Sequence, residues 1–193
     1  MKKKILFALL TAAMTISLAA CGGSQKPEED KEAQVTVESA EVLLNNVWDQ
    51  FAEDEKFAVV GGDAANSVEN AAGKVDISDT ETVTALFHIS EDGLAYVKDA
   101  ASLMHMMNAN TFTAAAYQLE DAANAPELVD SLKESISGTR WMCGFPEMLH
   151  IYTVADEYVT AAFGNADNME HFKTHLTDVY GDSAVLSVEM PIE

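Results

Sequence analysis

Met148-Leu149-His150-Ile151-Tyr152-Thr153-Val154-Ala155-Asp156-Glu157-Tyr158-Val159-Thr160-Ala161-Ala162-Phe163 carries the clearest strand pattern in the chain. Apolar and less apolar residues alternate on both sides of Ala155-Asp156-Glu157, and side chains on a strand point alternately to its two faces. The alternation predicts strands over Met148–Val154 and Tyr158–Phe163, joined by a tight turn. A helix follows. Asn165 suits its N-cap, Met169, Phe172, Leu176 and Val179 form a stripe at helical spacing, and Gly181 closes it.

The same order occurs once before. Ser102–Met107 and Thr111–Leu119 read as strands around Asn108-Ala109-Asn110. A helix then runs from a cap at Asn124, through Pro126 and Glu127 in its first turn, to Gly138, with Leu128, Leu132 and Ile136 as its stripe. His105 and His150 fall at similar places, as do Thr113-Ala114-Ala115 and Thr160-Ala161-Ala162. The expected fold is α+β: an antiparallel sheet built from two strand–strand–helix units, with an N-terminal helix packed on it. That helix starts near Thr36 or Ser39 and places Ala40, Leu43, Leu44, Val47, Trp48 and Phe51 on one face. Asp79–His88 reads as a short helix and Ser183–Met190 as a last strand. Val59–Ile77, punctuated by Gly61-Gly62-Asp63, Asn66, Asn70 and Gly73, reads as a mobile excursion. It matches neither a phosphate-binding loop nor a calcium loop.

Upstream, Lys2, Lys3 and Lys4 precede the apolar run Ile5–Ala20, which ends in Leu18-Ala19-Ala20-Cys21. The run is shorter than the ~20 residues a spanning helix needs and closes in small residues, as a cleaved export signal does. A cysteine just after the cut supplies the thiol that takes a diacylglyceryl group as a thioether. The sequence therefore divides into a signal peptide over 1–20, a lipidated Cys21 with a flexible acidic tether over 21–34, and a single α+β domain over 35–193. The tether carries Glu28-Glu29-Asp30-Lys31-Glu32 and no apolar period. The expected location is the extracytoplasmic face of the cell membrane, with the membrane as partner through lipid on Cys21.

The chain has 11 Lys and Arg against 32 Asp and Glu, a formal charge of −21, and loss of the signal's lysines leaves it more acidic. Nucleic-acid binding, and docking on anionic lipid through a basic patch, both need clustered cations that are missing here. Cys21 and Cys143 are the two cysteines. With Cys21 lipidated, Cys143 has no partner, and between Trp141-Met142 and Gly144-Phe145 it reads as a small buried hydrophobe.

From about Asp79 to Tyr180 the chain resembles a family of uncharacterised small lipoproteins, a domain of unknown function, from Gram-positive bacteria and especially Clostridia. The resemblance rests on Ala85-Leu86-Phe87-His88-Ile89 with Glu91-Asp92 after it, on the Met-rich strand with its hairpin, and on Phe145-Pro146-Glu147. It implies the same plan of lipobox, tether and small α+β domain. It brings no activity and no site residue.

Chemistry-bearing groupings are few. His171 and His175 share a helix face, but Phe172-Lys173-Thr174 between them holds no glutamate, so a solvated face is expected. Leu103-Met104-His105-Met106-Met107 offers copper-type donors, yet a strand sends Met104 and Met106 to one side and His105 and Met107 to the other. Cys143 and Met148 complete such a set only if folding brings them close. No nucleophile or zincin motif occurs, so no catalytic residue, metal ligand or cofactor is assigned. In the last hairpin Leu149, Ile151, Val159, Ala161 and Phe163 form the core face. Met104 and Met106 should join them, with both C-terminal helices as cover. His105, Met107, His150, Tyr152 and Tyr158 then share the other face. His105, His150, Tyr152 and Tyr158 are its candidate binding residues, since imidazoles and phenols combine apolar surface with hydrogen bonding. The competing reading places the helix of Trp48 and Phe51 over that face. The favoured function is a non-enzymatic module that binds a surface protein, wall component or small ligand. A metal carrier or an unrecognised enzyme is the alternative.

Overall fold

The computed structural model describes residues 35–107 and 111–192. The expected signal peptide, Cys21 with its expected tether, and the expected turn at Asn108–Asn110 lie outside the described residues.

Ser39 caps the first helix, α1 (Ala40–Trp48), its hydroxyl accepting the Val42 N–H at 3.1 Å. Three short strands follow: β1 (Val59–Gly61), β2 (Val68–Glu69) and β3 (Gly73–Val75). They replace the expected excursion. Runs of two or three residues are too short to show alternation, and buried Asp63 holds their turns together. Its carboxylate accepts the backbone N–H of Ala65 and Asn66, each at 2.8 Å, and of Asp76 at 2.6 Å. Gly61 and Gly73 lie back to back, and a Cβ on Gly61 would sit 2.2 Å from the Gly73 nitrogen. Only glycine permits that approach.

Next come α2 (Thr80–Phe87) and α3 (Glu91–Leu94), capped by Asp79 and Ser90. The remaining elements are β4 (Val97–His105), β5 (Phe112–Leu119), α4 (Ala125–Ser137), β6 (Met148–Val154), β7 (Tyr158–Gly164), α5 (Ala166–Tyr180) and β8 (Ala184–Pro191). The strands form one antiparallel sheet in the order β2-β1-β4-β5-β7-β6-β8, with β3 also paired to β4. The fold is α+β. At its centre β5 pairs with β7, Ala115 opposite Ala161 and Ala114 opposite Ala162. Alanines there keep the sheet surface low, so helices approach closely on both sides.

Helices cover both faces. On one, α4 packs against Leu149, Ile151, Val159, Ala161 and Phe163, with α2 and α3 beside it. On the other, α1 lies over β4 and β5, and α5 over β6 and β7. Two expectations are corrected here. α5 does not join α4, because α1 spans only half of the opposite face. The Met169-Phe172-Leu176-Tyr180 stripe of α5 buries itself on the half left bare. Met104 packs with the α4 side as expected, but Met106 lies beyond the end of β4 and is 55% exposed.

Candidate functional site

His150, Tyr152 and Tyr158 project from β6 and β7 toward α1 and α5, where they are only 2%, 2% and 1% exposed. The proposed open face is thus corrected: it is core. The stripes of α1 and α5 need apolar area, and phenol rings supply 150–250 Å² each. The Tyr158 hydroxyl donates to the Val37 carbonyl at 3.1 Å. His150 Nε2 lies 3.8 Å from Glu189 Oε1, yet burial dominates and pushes the imidazole below its usual value. Burial likewise pushes the Tyr152 hydroxyl upward. His105 ends β4 half-buried, its ring stacked on Phe57 with centroids 4.6 Å apart, and Nδ1 accepts the Met107 N–H at 2.9 Å.

At that end of β4 a cleft of about 140 Å³ opens, where His105 and Met107 meet His88, Trp141 and Cys143. The expected buried Cys143 is instead exposed, in the loop between α4 and β6. Folding brings Cys143 beside His105 and Met107, whereas Met148 packs with the core under α1 and α5. His88 Nδ1 lies 3.2 Å from Thr139 Oγ1, its ring edge-on to Trp141 at 4.8 Å, and burial lowers its pKa. Met106, Met142 and Phe145 stand exposed close by in the chain.

A tighter grouping forms between the turn after α1 and the outer side of α5. His171 and His175 are one helical turn apart. His171 Nδ1 lies 2.9 Å from Glu55 Oε1, and His175 Nε2 lies 2.8 Å from Glu55 Oε2. The Ala52 N–H also donates to Glu55 Oε2 at 2.8 Å and is the main reason the carboxyl lies below its usual range, followed by the bond from His175. The Phe51 ring backs His175 at 4.7 Å. The expected solvated helix face is corrected as well, since the His175 side chain is only 13% exposed, against 40% for His171. Glu55 escaped sequence reasoning because it lies far away in the chain, and no local pattern links it to α5. One ligand atom from each of the three residues lies within 4.8 Å of the others.

No protein-family model, no curated protein and no solved structure matches the chain. Among the described residues no helix is long and apolar enough to cross a membrane.

Proposed function

We propose that the chain is an extracytoplasmic lipoprotein, cut before Cys21 and held on the cell membrane by lipid on that thiol. Its domain, residues 35–193, serves as a non-enzymatic binding module for a surface protein, wall component or small ligand. The observation that carries this reading is Leu18-Ala19-Ala20-Cys21 at the end of a lysine-led apolar run. The resemblance to uncharacterised Gram-positive lipoproteins supports it. We also read β4-β5-α4 and β6-β7-α5 as two copies of one strand–strand–helix unit, on the strength of their shared order.

With the tyrosine face buried, the binding surface is placed at the cleft of His105, which Met107 and Cys143 line; Met142 and Phe145, beside Cys143 in the chain, are exposed as well. Apolar side chains left in solvent together mark interaction surfaces. At about 140 Å³ the cleft is smaller than the 300–1,000 Å³ of small-molecule pockets, which favours a side chain of a partner protein.

Cys21→Ala should block lipidation, leaving the chain released or uncut in the membrane. A variant that fractionates and migrates like wild type would refute the anchor. Met107→Asp, at the cleft itself, should weaken partner capture from intact cells without lowering the thermal midpoint, and undiminished capture would exclude the cleft.

A further inference from the structure

We propose that Glu55, His171 and His175 form a binding site for a divalent transition-metal ion of the zinc class. Two imidazole nitrogens face the two oxygens of one carboxylate at 2.9 and 2.8 Å, and the donor set lies within 4.8 Å. Ligands bound at roughly 2.0–2.2 Å from zinc stand about 3–3.5 Å from one another, so closing the set on an ion shortens its widest separation by up to about 1.5 Å. Two nitrogens and a carboxylate suit zinc, cobalt or nickel. Calcium and magnesium take oxygen shells, and Cu(I) takes softer donors. Three protein ligands leave a fourth position open.

The surroundings are arranged for such an ion. The Ala52 N–H fixes the Glu55 carboxylate, as outer partners of metal ligands do, and Phe51 closes one side of His175. The chain's charge of −21 raises the local concentration of cations. Without an ion, His175 Nε2 donates to the carboxylate and so carries a proton, while His171 Nδ1 lies 2.9 Å from the other oxygen as an ion-pair contact. On binding, a proton on a coordinating nitrogen must leave it: a doubly protonated ring releases the proton to solvent, and a neutral ring carries it on its other nitrogen instead. Either change leaves a lone pair for the metal. Bound metal then ties the turn after α1 to α5. The site does not depend on the lipid anchor, so loss of lipidation in Cys21→Ala leaves it intact.

The test is titration of the metal-free full-length protein in detergent with Zn²⁺ against a chromophoric chelator. One equivalent should bind. His171→Ala, at the most exposed of the three positions, and Glu55→Gln should each weaken binding at least about 10-fold, the lower end of the loss from removing even an outer partner. Cys143→Ser and His88→Ala should bind as wild type does. Zn²⁺ should raise the thermal midpoint of wild type and not that of His171→Ala. In wild type, the ring resonances of both His171 and His175 should move with the first equivalent, which locates the ion without any variant. Absence of stoichiometric binding, unchanged affinity in His171→Ala and Glu55→Gln, static ring resonances, or loss of binding in Cys143→Ser would overturn the proposal and leave an ion pair that docks the turn on α5.

Discussion

The two faces of the β6–β7 hairpin are buried equally deeply by different chemistry. Under α4 the hairpin offers Leu149, Ile151, Val159 and Phe163, a surface that any apolar helix stripe satisfies. Under α1 and α5 it offers His150, Tyr152, Tyr158 and Thr160, each with a polar atom that must be placed or left bare. Several bonds serve that second face. Tyr158 donates to Val37, Tyr180 donates to the Leu43 carbonyl at 3.2 Å, and Trp48 Nε1 donates to the Asn70 carbonyl at 3.2 Å. Tyr152 Oη, Thr160 Oγ1 and His150 Nδ1 have no hydrogen-bond partner among the described residues. Under α4 the apolar hairpin residues need only a cover, although Tyr117 beside them on β5 buries a hydroxyl with no hydrogen-bond partner among the described residues. The polar face needs a cover in a particular position, because hydrogen bonds are directional. A stripe of tyrosine and histidine on a strand is therefore no sign of an open surface.

The largest effect should come from weakening the cover. Trp48→Ala should cost about 3–5 kcal/mol in urea unfolding, as large core truncations do, against about 2–5 kcal/mol for Leu132→Ala under the other face. A cost below ~1 kcal/mol for Trp48→Ala would mean that α1 is a loose lid and that the tyrosine face opens after all.

Acid should sharpen the contrast. Burial holds His88, His105 and His150 below the ordinary 6.5. The unfolded chain then takes up protons that the folded chain refuses. Stability from these rings is fully present above pH 6.5 and is lost as pH falls from there through the folded values. Carboxylates held low, such as Glu55, Asp63 and Glu189, act later, below their ordinary 4.5 and 3.8. His150→Leu should flatten the decline of the urea midpoint between pH 6.5 and 5. An unaltered slope would mean that His150 contributes nothing to acid sensitivity.

The smallest effects separate placed from bare polar atoms. Tyr158→Phe should cost about 1 kcal/mol, the net value of a hydrogen bond. Thr160→Val, which removes a hydroxyl with no hydrogen-bond partner among the described residues, should cost nothing or add up to ~1 kcal/mol. Equal losses in the two variants, at unchanged denaturant dependence, would show that the second face does not distinguish its polar groups.

Much of the fold was legible because its signals are local. Period-two alternation marks β6 and β7, and Asn165 and Gly181 bracket α5, its cap accepting the Asn168 N–H at 2.9 Å. The start of β4 was missed because Lys98 and Asp99, next to an irregularity between Val97 and Asp99, break the alternation there. The candidate site was half legible: the spacing of His171 and His175 is a helix property, while Glu55 reaches them from the turn after α1.

The sequence by itself determined the α+β class, the hairpin and its two faces, and the shared face of His171 and His175. Each follows from neighbours in the chain and the fixed periods of strand and helix. Tertiary structure alone decided which sheet face each helix covers, that His150, Tyr152 and Tyr158 are core, that Cys143 stands beside His105 and Met107, and that Glu55 closes on two histidines. Those outcomes depend on competition among helices for a limited apolar area and on contacts between residues far apart in the chain, which no local pattern encodes.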